Sequence, residues 1–369
     1  MTEPAATASF DPAIVAGPEI ELGLDTFGDM TVDEDGRRRT AAEVLRDVVD
    51  EAVLADEVGV DFIGLGEHHR DDFAISAPDI VLAAIAGKTS RIHLGTAVTV
   101  LSSDDPIRVY ERFATLDAVS NGRAEVILGR GSFTESFPLF GFDLDDYEML
   151  FDEKLDLFAK LRDEQPVTWS GRHRPALVGQ DVFPKTESGR LTAWIGVGGS
   201  PESVVRSVKY QIPMMLAIIG GSPGRFGQYV DLYRRAQVHL APETGQTERM
   251  PLGAHSPGHI ADTDEQAVDE YWPHYRAMND RIGRERGWPP ATKDKLIAEV
   301  RGGSQYVGSP ETVARRIADT ATTLGLSRFD LKYATGPMPH GKLMRSVELY
   351  GTRVIPRVRE LLGEAAVSP

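Results

Sequence analysis

Short apolar runs alternate with longer amphipathic stretches along most of this chain, beginning near residue 20. Residues 20–26 are mainly apolar and predict a first strand, and residues 41–58 follow with apolar side chains near helical spacing. Gly59 ends that helix, and the apolar run at 62–65 predicts a second strand. A strand, a helix and a second strand in this order are typical of a parallel sheet built from βα units.

The same alternation continues along the sequence and predicts eight strands. The further strands are predicted at residues 92–100, 124–128, 193–196, 214–219, 252–260 and 329–333. Helices are predicted at 78–88 and 107–120, from Ser200, Arg225, Asp264 and Pro310 onwards, and at 342–362 as a closing helix. This order predicts the α/β class and a (β/α)8 TIM barrel, whose ligand site lies at the C-terminal ends of the strands. A doubly wound open sheet is the alternative, but it usually carries a glycine-rich fingerprint that is missing after residue 26.

Two segments interrupt the alternation and predict insertions in a single barrel domain covering residues 19–369. Residues 133–192 are irregular, with a helix predicted at 147–161 and a hairpin around Ser170 and Gly171. Residues 271–307 are charged and indicate a lid or a second insertion. Residues 1–18 are rich in Ala, Pro and Thr, lack the pattern of a signal peptide, and are predicted to form a flexible arm.

The charge and residue content narrow the classes of function. The chain has 56 acidic and 40 basic residues and a formal net charge of -16, which disfavours binding to nucleic acid or to an anionic membrane surface. It has no cysteine, which excludes disulfides, thiolate metal sites and a thiol nucleophile. No stretch approaches the ~20 apolar residues of a membrane helix. These features predict a soluble protein, cytoplasmic by default.

An acid and two imidazoles follow the second predicted strand, as Glu67, His68 and His69. Imidazole exchanges protons near neutral pH, and a neighbouring carboxylate can orient it, so these residues are candidate catalytic groups. A hydrogen-bonded surface turn is the alternative interpretation. No metal site is predicted, because the spacing of a zinc-binding helix and a further ligand cluster are both missing.

Glycines and polar residues follow the fourth and fifth predicted strands. Gly129 and Arg130 come directly after the fourth strand. Gly198 and Gly199 precede Ser200, which is predicted to cap a helix with Pro201 in its first turn, and the free amides of such a helix start favour an anion. Each glycine run alone indicates only a turn. At neighbouring strand ends of one barrel, they predict a phosphate-binding site.

Five strings occur here in the order seen in luciferase-like flavin-dependent monooxygenases: LGEHH at 65–69, LGTAVTVLSSDDPIRV at 94–109, SNGRAEVILGRG at 120–131, VGGSPES at 197–203 and VGSPETVARRI at 307–317. The chain therefore resembles the bacterial-luciferase-like family over nearly all of residues 20–362. Five ordered motifs are much harder to obtain by chance than one.

The resemblance implies a flavin laid across the strand ends, with its ring system near Ala97 and Val98. That junction matches one where the family often has a non-proline cis peptide. His68 matches the histidine beside the reacting edge of the flavin, with His69 and Glu67 as its support. From the residues alone, the small side chains in this part of the third strand indicate either the close approach of a flat ligand or tight barrel packing.

The resemblance also assigns the phosphate site and reveals two departures. Arg130, Ser200 and Ser203 match phosphate-binding positions of the family, and Gly199 would supply a backbone amide. Gly129 stands where the catalytic subunit of bacterial luciferase has a cysteine, and Gly199 stands where that subunit has an acidic residue. Aldehyde oxidation with light emission is therefore not expected.

The family implies a monooxygenase that uses reduced FMN and O2 on a small organic substrate. A separate flavin reductase is an expected partner, because a second nucleotide-binding fingerprint is missing, and the family favours a homo-oligomer. Two alternatives stay open: a deazaflavin-dependent oxidoreductase on the same barrel, and a non-catalytic flavin-binding partner subunit.

The segment leaving the eighth predicted strand carries Met338 and His340. A position at the barrel mouth would make them substrate-contacting residues on the side of His68. A surface histidine next to the closing helix is the alternative.

Overall fold

The protein is described by a computed structural model, which covers residues 20–131 and 133–367, so the predicted arm at 1–18 lies outside the described residues. Its strands are β1 (Glu21–Thr26), β2 (Phe62–Leu65), β3 (His93–Thr96), β4 (Thr99–Val100), β5 (Glu125–Gly129), β6 (Val167–Trp169), β7 (Leu177–Gln180), β8 (Thr192–Val197), β9 (Met214–Ala217), β10 (Leu252–Ile260), β11 (Tyr306–Gly308) and β12 (Arg328–Lys332). Its α-helices are α1 (Ala41–Glu57), α2 (Pro78–Ala86), α3 (Pro106–Val119), α4 (Ser136–Phe140), α5 (Tyr147–Leu161), α6 (Pro201–Lys209), α7 (Gly227–Thr244), α8 (Asp264–Arg286), α9 (Lys293–Gly302), α10 (Pro310–Leu324), α11 (His340–Leu349) and α12 (Ile355–Val367).

The main sheet curls into a nearly closed parallel barrel. Its hydrogen-bonded order is β3-β2-β1-β12-β10-β9-β8-β5-β4, and the last of the eight barrel strands, β12, pairs with the first, β1. The third predicted strand is split at Ala97 and Val98 into β3 and β4, and both halves adjoin β5, through a bridge from Leu94 to Ala124 and through the β4–β5 ladder. The predicted (β/α)8 barrel is confirmed and the open sheet is excluded.

Local sequence explains where the helices around the barrel begin. Thr40 caps α1 in a reciprocal arrangement with Glu43, which satisfies backbone amides that lack a partner within the helix. Side chains of α1 at helical spacing, among them Val44, Val48 and Ala52, are buried against the sheet. Burial of such apolar faces is the main stabilising force that holds the ring of helices on the strands.

The two irregular segments contain regular structure beyond the barrel units. Residues 133–192 hold α4, α5 and an antiparallel hairpin of β6 and β7, in which Trp169 pairs with Leu177. Residues 271–307 consist mainly of the second part of α8 and of α9, followed by β11, which pairs with β10. Thr263 caps α8, whose first turn carries Asp264 and Glu265. Carboxylates there match the positive end of the helix dipole.

The inside of the barrel is closed at the N-terminal end by charged groups. Arg328 is fully buried and donates to Glu125 (2.6 Å) and Asp330 (3.0 Å). Glu125 also accepts from the indole of Trp194 (3.2 Å) and pairs with His93 (3.0 Å). Burial alone would raise the pKa of Glu125, but Arg328 and His93 outweigh it and hold that pKa at about 2.

Glycines on the barrel strands leave room for the Ala97–Val98 segment at the other end. A Cβ added to Gly129 would lie 2.4 Å from Cγ2 of Val98, and one added to Gly196 would lie 3.1 Å from Cγ1. A Cβ on Gly64 would lie 2.9 Å from Cβ of Ala97. Since carbon atoms in contact need about 3.5 Å or more, these strands reach the segment only because they lack side chains there.

Arg328→Met should destabilise the protein by about 3 to 5 kcal/mol at neutral pH, because it leaves buried carboxylates without their cation. The loss should shrink at low pH, since a carboxylate with a depressed pKa contributes stability above its ordinary pKa and loses it as the pH falls. Urea unfolding at several pH values measures this. Arg315→Met removes an exposed pair with Glu311 and is the matched control. A loss below about 1 kcal/mol for Arg328→Met would contradict this account of the barrel interior.

Gly129→Ala should cost about 1 to 3 kcal/mol, because the new methyl group overlaps Val98. In a Val98→Ala background the same change should cost clearly less, since the overlapping methyl groups are gone. Thermal unfolding of the four variants of this cycle measures the coupling. Gly302→Ala, where a Cβ meets nothing within 4 Å, is the control. Equal costs in both backgrounds would show that Val98 is not the obstacle.

Candidate functional site at the C-terminal end of the barrel

Glu67 connects the end of β2 to the third barrel strand. One carboxylate oxygen accepts from the amide of Val100 at 2.9 Å, and the other pairs with Nε2 of His69 at 2.9 Å. The amide of Glu67 donates to the carbonyl of Val98 at 3.2 Å. Both carboxylate oxygens of Glu67 therefore have a partner. Through these contacts, Glu67 and His69 fix the backbone on either side of His68.

His68 lies in an aromatic surrounding at the barrel mouth and is 9% exposed. Its ring stacks on Phe73, with 4.6 Å between centroids, and meets the edges of Phe27 at 4.9 Å and Phe133 at 5.2 Å. Nδ1 lies 3.5 Å from a carboxylate oxygen of Glu135, which precedes α4. Burial opposes ionisation of Glu135, but the contacts with His68 and backbone amides outweigh it and lower the pKa of this carboxyl. Nε2 is the ring nitrogen of His68 that does not contact Glu135, so it can exchange a proton with a ligand.

Arg70 joins the mouth to the C-terminal part of α8. Its guanidinium donates to Asp72 (2.9 Å) and to Glu285 (2.7 Å), and it lies 4.5 Å from the centroid of the Phe133 ring. Arg281 of α8 also pairs with Asp72 at 3.2 Å. These contacts hold the end of α8 against the loop that follows β2.

The residues predicted to bind an anion lie around the start of α6. Ser200 caps the helix and its hydroxyl accepts from the amide of Ser203 at 3.3 Å. Gly199 has φ +116°, a region that favours glycine, and a Cβ there would lie 3.3 Å from the hydroxyl of Tyr229. A Cβ on Gly198 would meet nothing within 4 Å. Glycine at position 198 therefore leaves space beside this helix start.

Arg130 and Arg206 flank this helix start and share one carboxylate. Arg130 pairs with Oε1 of Glu148, while Arg206 lies 3.7 Å from Oε2 of the same residue. Arg206 also donates to the hydroxyl of Ser203 at 3.2 Å. Sequence reasoning missed Arg206 and Glu148, because both lie inside helices with no motif to distinguish them. Arg206 also pairs with Asp152 at 2.5 Å, so Glu148 is the carboxylate that the two cations share. A phosphate dianion that displaced Glu148 would meet both guanidinium groups.

Val98 lies between the histidine group and the anion group. Its carbonyl accepts from Glu67, and its side chain meets the inward faces of Gly129 and Gly196. The peptide bond between Ala97 and Val98 is cis, as the resemblance implies. The two groups are thus brought to one end of the barrel by a shared backbone segment.

A second imidazole at this end was missed by the sequence analysis. His255 on β10 pairs through Nδ1 with Asp25 of β1 at 2.6 Å. Its ring lies over Phe27 at 6.5 Å, and Phe27 also contacts His68. Lys332 lies 4.6 Å from the same phenyl ring. Neither Asp25 nor His255 belongs to a recognisable motif, and they are 230 positions apart.

Met338 and His340 lie away from these groups. His340 begins α11 and pairs through Nδ1 with Glu51 of α1 at 2.9 Å, and Glu51 also accepts from Tyr333 at 2.6 Å. Its ring thus lies between two outer helices and not beside His68. Met338 is fully buried in the apolar core. The pairing with Glu51 does not support the predicted substrate role of His340, and that of Met338 stays a prediction.

The described part of the chain has neither a membrane-spanning helix nor a metal-binding cluster. None of the helices there is long and apolar enough to cross a membrane. No group of three or more histidine, aspartate or glutamate side chains within those ranges is arranged to hold a metal ion.

Comparisons with known proteins agree with this arrangement. The 4-hydroxyprotoasukamycin monooxygenase of Streptomyces nodosus subsp. asukaensis is 29% identical over 318 residues, which cover 82% of this chain and 84% of that protein. Among solved structures, the fold is similar to that of the oxygenating constituent of 3,6-diketocamphane monooxygenase from Pseudomonas putida in complex with FMN, with a TM-score of 0.72, 18% identity and coverage of 92% and 99%. It is also similar to that of the coenzyme F420 dependent tetrahydromethanopterin reductase from Methanopyrus kandleri, with a TM-score of 0.67, 18% identity and coverage of 92% and 99%.

The sequence profile of one family matches most of the chain. That family is described as luciferase-like monooxygenase, and the match covers residues 26–328. The matched range contains the barrel strands from β2 to β10, together with His68, Arg130 and the start of α6. This protein therefore belongs to the luciferase-like monooxygenase family.

Proposed function

We propose that this protein is a flavin-dependent monooxygenase that uses reduced FMN and O2 to oxygenate a small organic substrate. The observation that carries the proposal is the meeting of an anion-binding helix start and a buried histidine at one end of the barrel, joined by Ala97 and Val98. A flavin mononucleotide has a phosphate at one end and a reactive planar ring at the other, so it needs both features.

The residues present fit FMN in charge and in space. Arg130 and Arg206 are cations beside the free amides of α6, and Ser200 and Ser203 offer hydroxyl groups. Gly199 leaves the approach free of side-chain bulk. These groups would hold the phosphate, and Ala97 and Val98 would support the ring. When bound, reduced FMN supplies the two electrons with which O2 gives one oxygen atom to the substrate and one to water.

The protein's own part is to orient the reactants, exclude water and move protons. His68 would exchange a proton at Nε2, with Glu135 on its Nδ1 side and with Glu67 and His69 fixing the backbone. The aromatic rings around His68 and the anchored end of α8 would keep water away.

Three further expectations remain predictions. Reduced FMN would be supplied by a separate flavin reductase, the chain would assemble as a homo-oligomer, and it would act in the cytoplasm. The substrate itself is set by loops at the mouth and is not identified by these residues.

A deazaflavin-dependent oxidoreductase is the second candidate, favoured by the similarity of the fold to a coenzyme F420 dependent reductase. A non-catalytic flavin-binding subunit is the third, and the buried histidine disfavours it.

Stopped-flow mixing of the protein and reduced FMN with 18O2, over a panel of ketones, thioethers and phenols, should give a product that carries one 18O atom. Hydride transfer to or from F420 without 18O incorporation would favour the second candidate, and FMN binding without turnover the third.

His68→Gln should lower the rate of oxygenation about 10²-fold or more, as expected for loss of an acid–base group, while FMN affinity stays within about threefold. Product analysis and fluorescence titration with FMN measure the two quantities. His340→Gln serves as the control, because its ring lies between α1 and α11. Equal activity of the wild-type and His68→Gln proteins would remove His68 from the proposed chemistry.

Arg130→Ala should weaken FMN binding by about 1.5 to 3 kcal/mol, the usual scale of a charge-assisted hydrogen bond, and should change riboflavin binding little. Glu148→Gln should strengthen FMN binding, because the carboxylate no longer competes with the phosphate for Arg130, while Arg206 keeps its pair with Asp152. Fluorescence titrations with FMN and riboflavin measure both effects. Arg108→Ala removes a surface pair with Glu111 and is the control. Equal losses for FMN and riboflavin in Arg130→Ala would place the phosphate elsewhere.

A further inference from the structure

The pair of Asp25 and His255 differs from the other carboxylate–histidine pair inside the barrel. Asp25 is fully buried and binds Nδ1 of His255 through Oδ2 at 2.6 Å, but its Oδ1 is buried without a hydrogen-bond partner among the described residues. Glu125, which pairs with His93 at the opposite end, has partners on both oxygens. A buried carboxylate oxygen without a partner is costly, so the Asp25 pair calls for a functional explanation that the Glu125 pair does not need.

The bond to Asp25 fixes which nitrogen of His255 can react. Asp25 is a carboxylate acceptor, so Nδ1 of His255 carries a hydrogen and donates it. Nε2 is the remaining nitrogen, and 13% of the side-chain surface is exposed. The ring stacks on Phe27 at an interplanar angle of 20°, and Phe27 contacts His68 on another side. The two histidines thus adjoin one aromatic side chain at the barrel mouth.

The charges that face His255 come from β1 and β12. Burial of the ring disfavours the imidazolium, but Asp25 outweighs this and raises the pKa of His255 above its ordinary value, with a smaller contribution from Asp330 in the same direction. Lys332 acts in the opposite direction. Asp330 is itself buried, which raises the pKa of its carboxyl to about 6 despite Arg328. Asp25 therefore favours the protonated form of His255 over the neutral form.

We propose that His255, positioned by Asp25, is a second proton-exchanging group of the oxygenation and delivers a proton to the oxygen atom that leaves as water. This inference rests on the proposed monooxygenase function. In the step, the Nε2–H bond breaks and its electron pair stays on the ring, while a new O–H bond forms on the departing oxygen. That oxygen then leaves as water and keeps the electron pair of the bond by which it was held. The neutral ring keeps its Nδ1–H bond to Asp25, and solvent returns the proton before the next turnover. His68 remains a separate proton-exchanging group on the other side of Phe27.

The test compares pH profiles of the oxygenation rate at saturating reduced FMN. The wild-type rate should fall as the pH rises through the pKa of His255, because the donor loses its proton. His255→Gln should lower the rate about 10²-fold near neutral pH and abolish this alkaline fall. Asp25→Asn keeps an acceptor for Nδ1 but removes the negative charge, so the fall should move to lower pH. His93→Gln, which alters the pair at the other end of the barrel, should leave the profile unchanged.

Folding and cofactor binding are checked in the same variants. Circular dichroism should show the wild-type fold, and FMN affinity should stay within about threefold, because the phosphate site is formed by other strands. NMR titration of the histidine rings should show a lower pKa for His255 in Asp25→Asn than in the wild-type protein, and added FMN should shift the His255 resonance. These readouts do not depend on turnover.

Each outcome separates the inference from the proposed function. An unchanged alkaline limb in both His255→Gln and Asp25→Asn, with normal oxygenation by the wild-type protein, would overturn the role of His255 alone. Failure of FMN to perturb His255 while it perturbs His68 would do the same. Failure of the wild-type protein to bind FMN or to oxygenate any substrate would overturn the proposed function, and the inference with it.

Discussion

The close approach of the Ala97–Val98 segment to its neighbouring strands is the constraint on which the rest of the site depends. Gly64, Gly129 and Gly196 face this segment, and a Cβ on any of them would lie within 3.1 Å of it. The strand ends can converge only where side chains are missing, and the convergence places the carbonyl of Val98 against the amide of Glu67. One packing constraint thereby sets the distance between the histidine group and the anion group.

The same constraint explains a departure from bacterial luciferase. The resemblance implies that Gly129 replaces a cysteine of that enzyme's catalytic subunit. A side chain at this position would overlap Val98 in the present structure. The glycine is therefore part of how this barrel is packed, and the difference concerns shape as well as the chemistry of a thiol.

The barrel interior carries charged residues at both ends, with different consequences. At the N-terminal end, Arg328 is matched by Glu125 and Asp330, and these contacts close the barrel. At the C-terminal end, Asp25 is fully buried and its Oδ1 has no hydrogen-bond partner among the described residues. Among the described residues, Nη2 of Arg328 also lacks a partner, so the two ends differ in the group that is left over, which is a guanidinium nitrogen at one end and a carboxylate oxygen at the other.

The sequence by itself determined the order of strands and helices, the class of fold and the family. Apolar spacing predicted β2 and β10 with the observed ends, and the Ser200 cap of α6 was predicted from Ser-Pro at a helix start. These features depend on neighbours within a few positions, where backbone preference and amphipathic burial act. The tertiary structure decided which distant residues meet. Glu135 contacts His68 although they are 67 positions apart, and Asp25 contacts His255 across 230 positions. His340 pairs with Glu51 and does not lie at the barrel mouth, where the sequence analysis had considered it. Such contacts depend on the tilt and closure of the whole barrel, which no local pattern in the chain encodes.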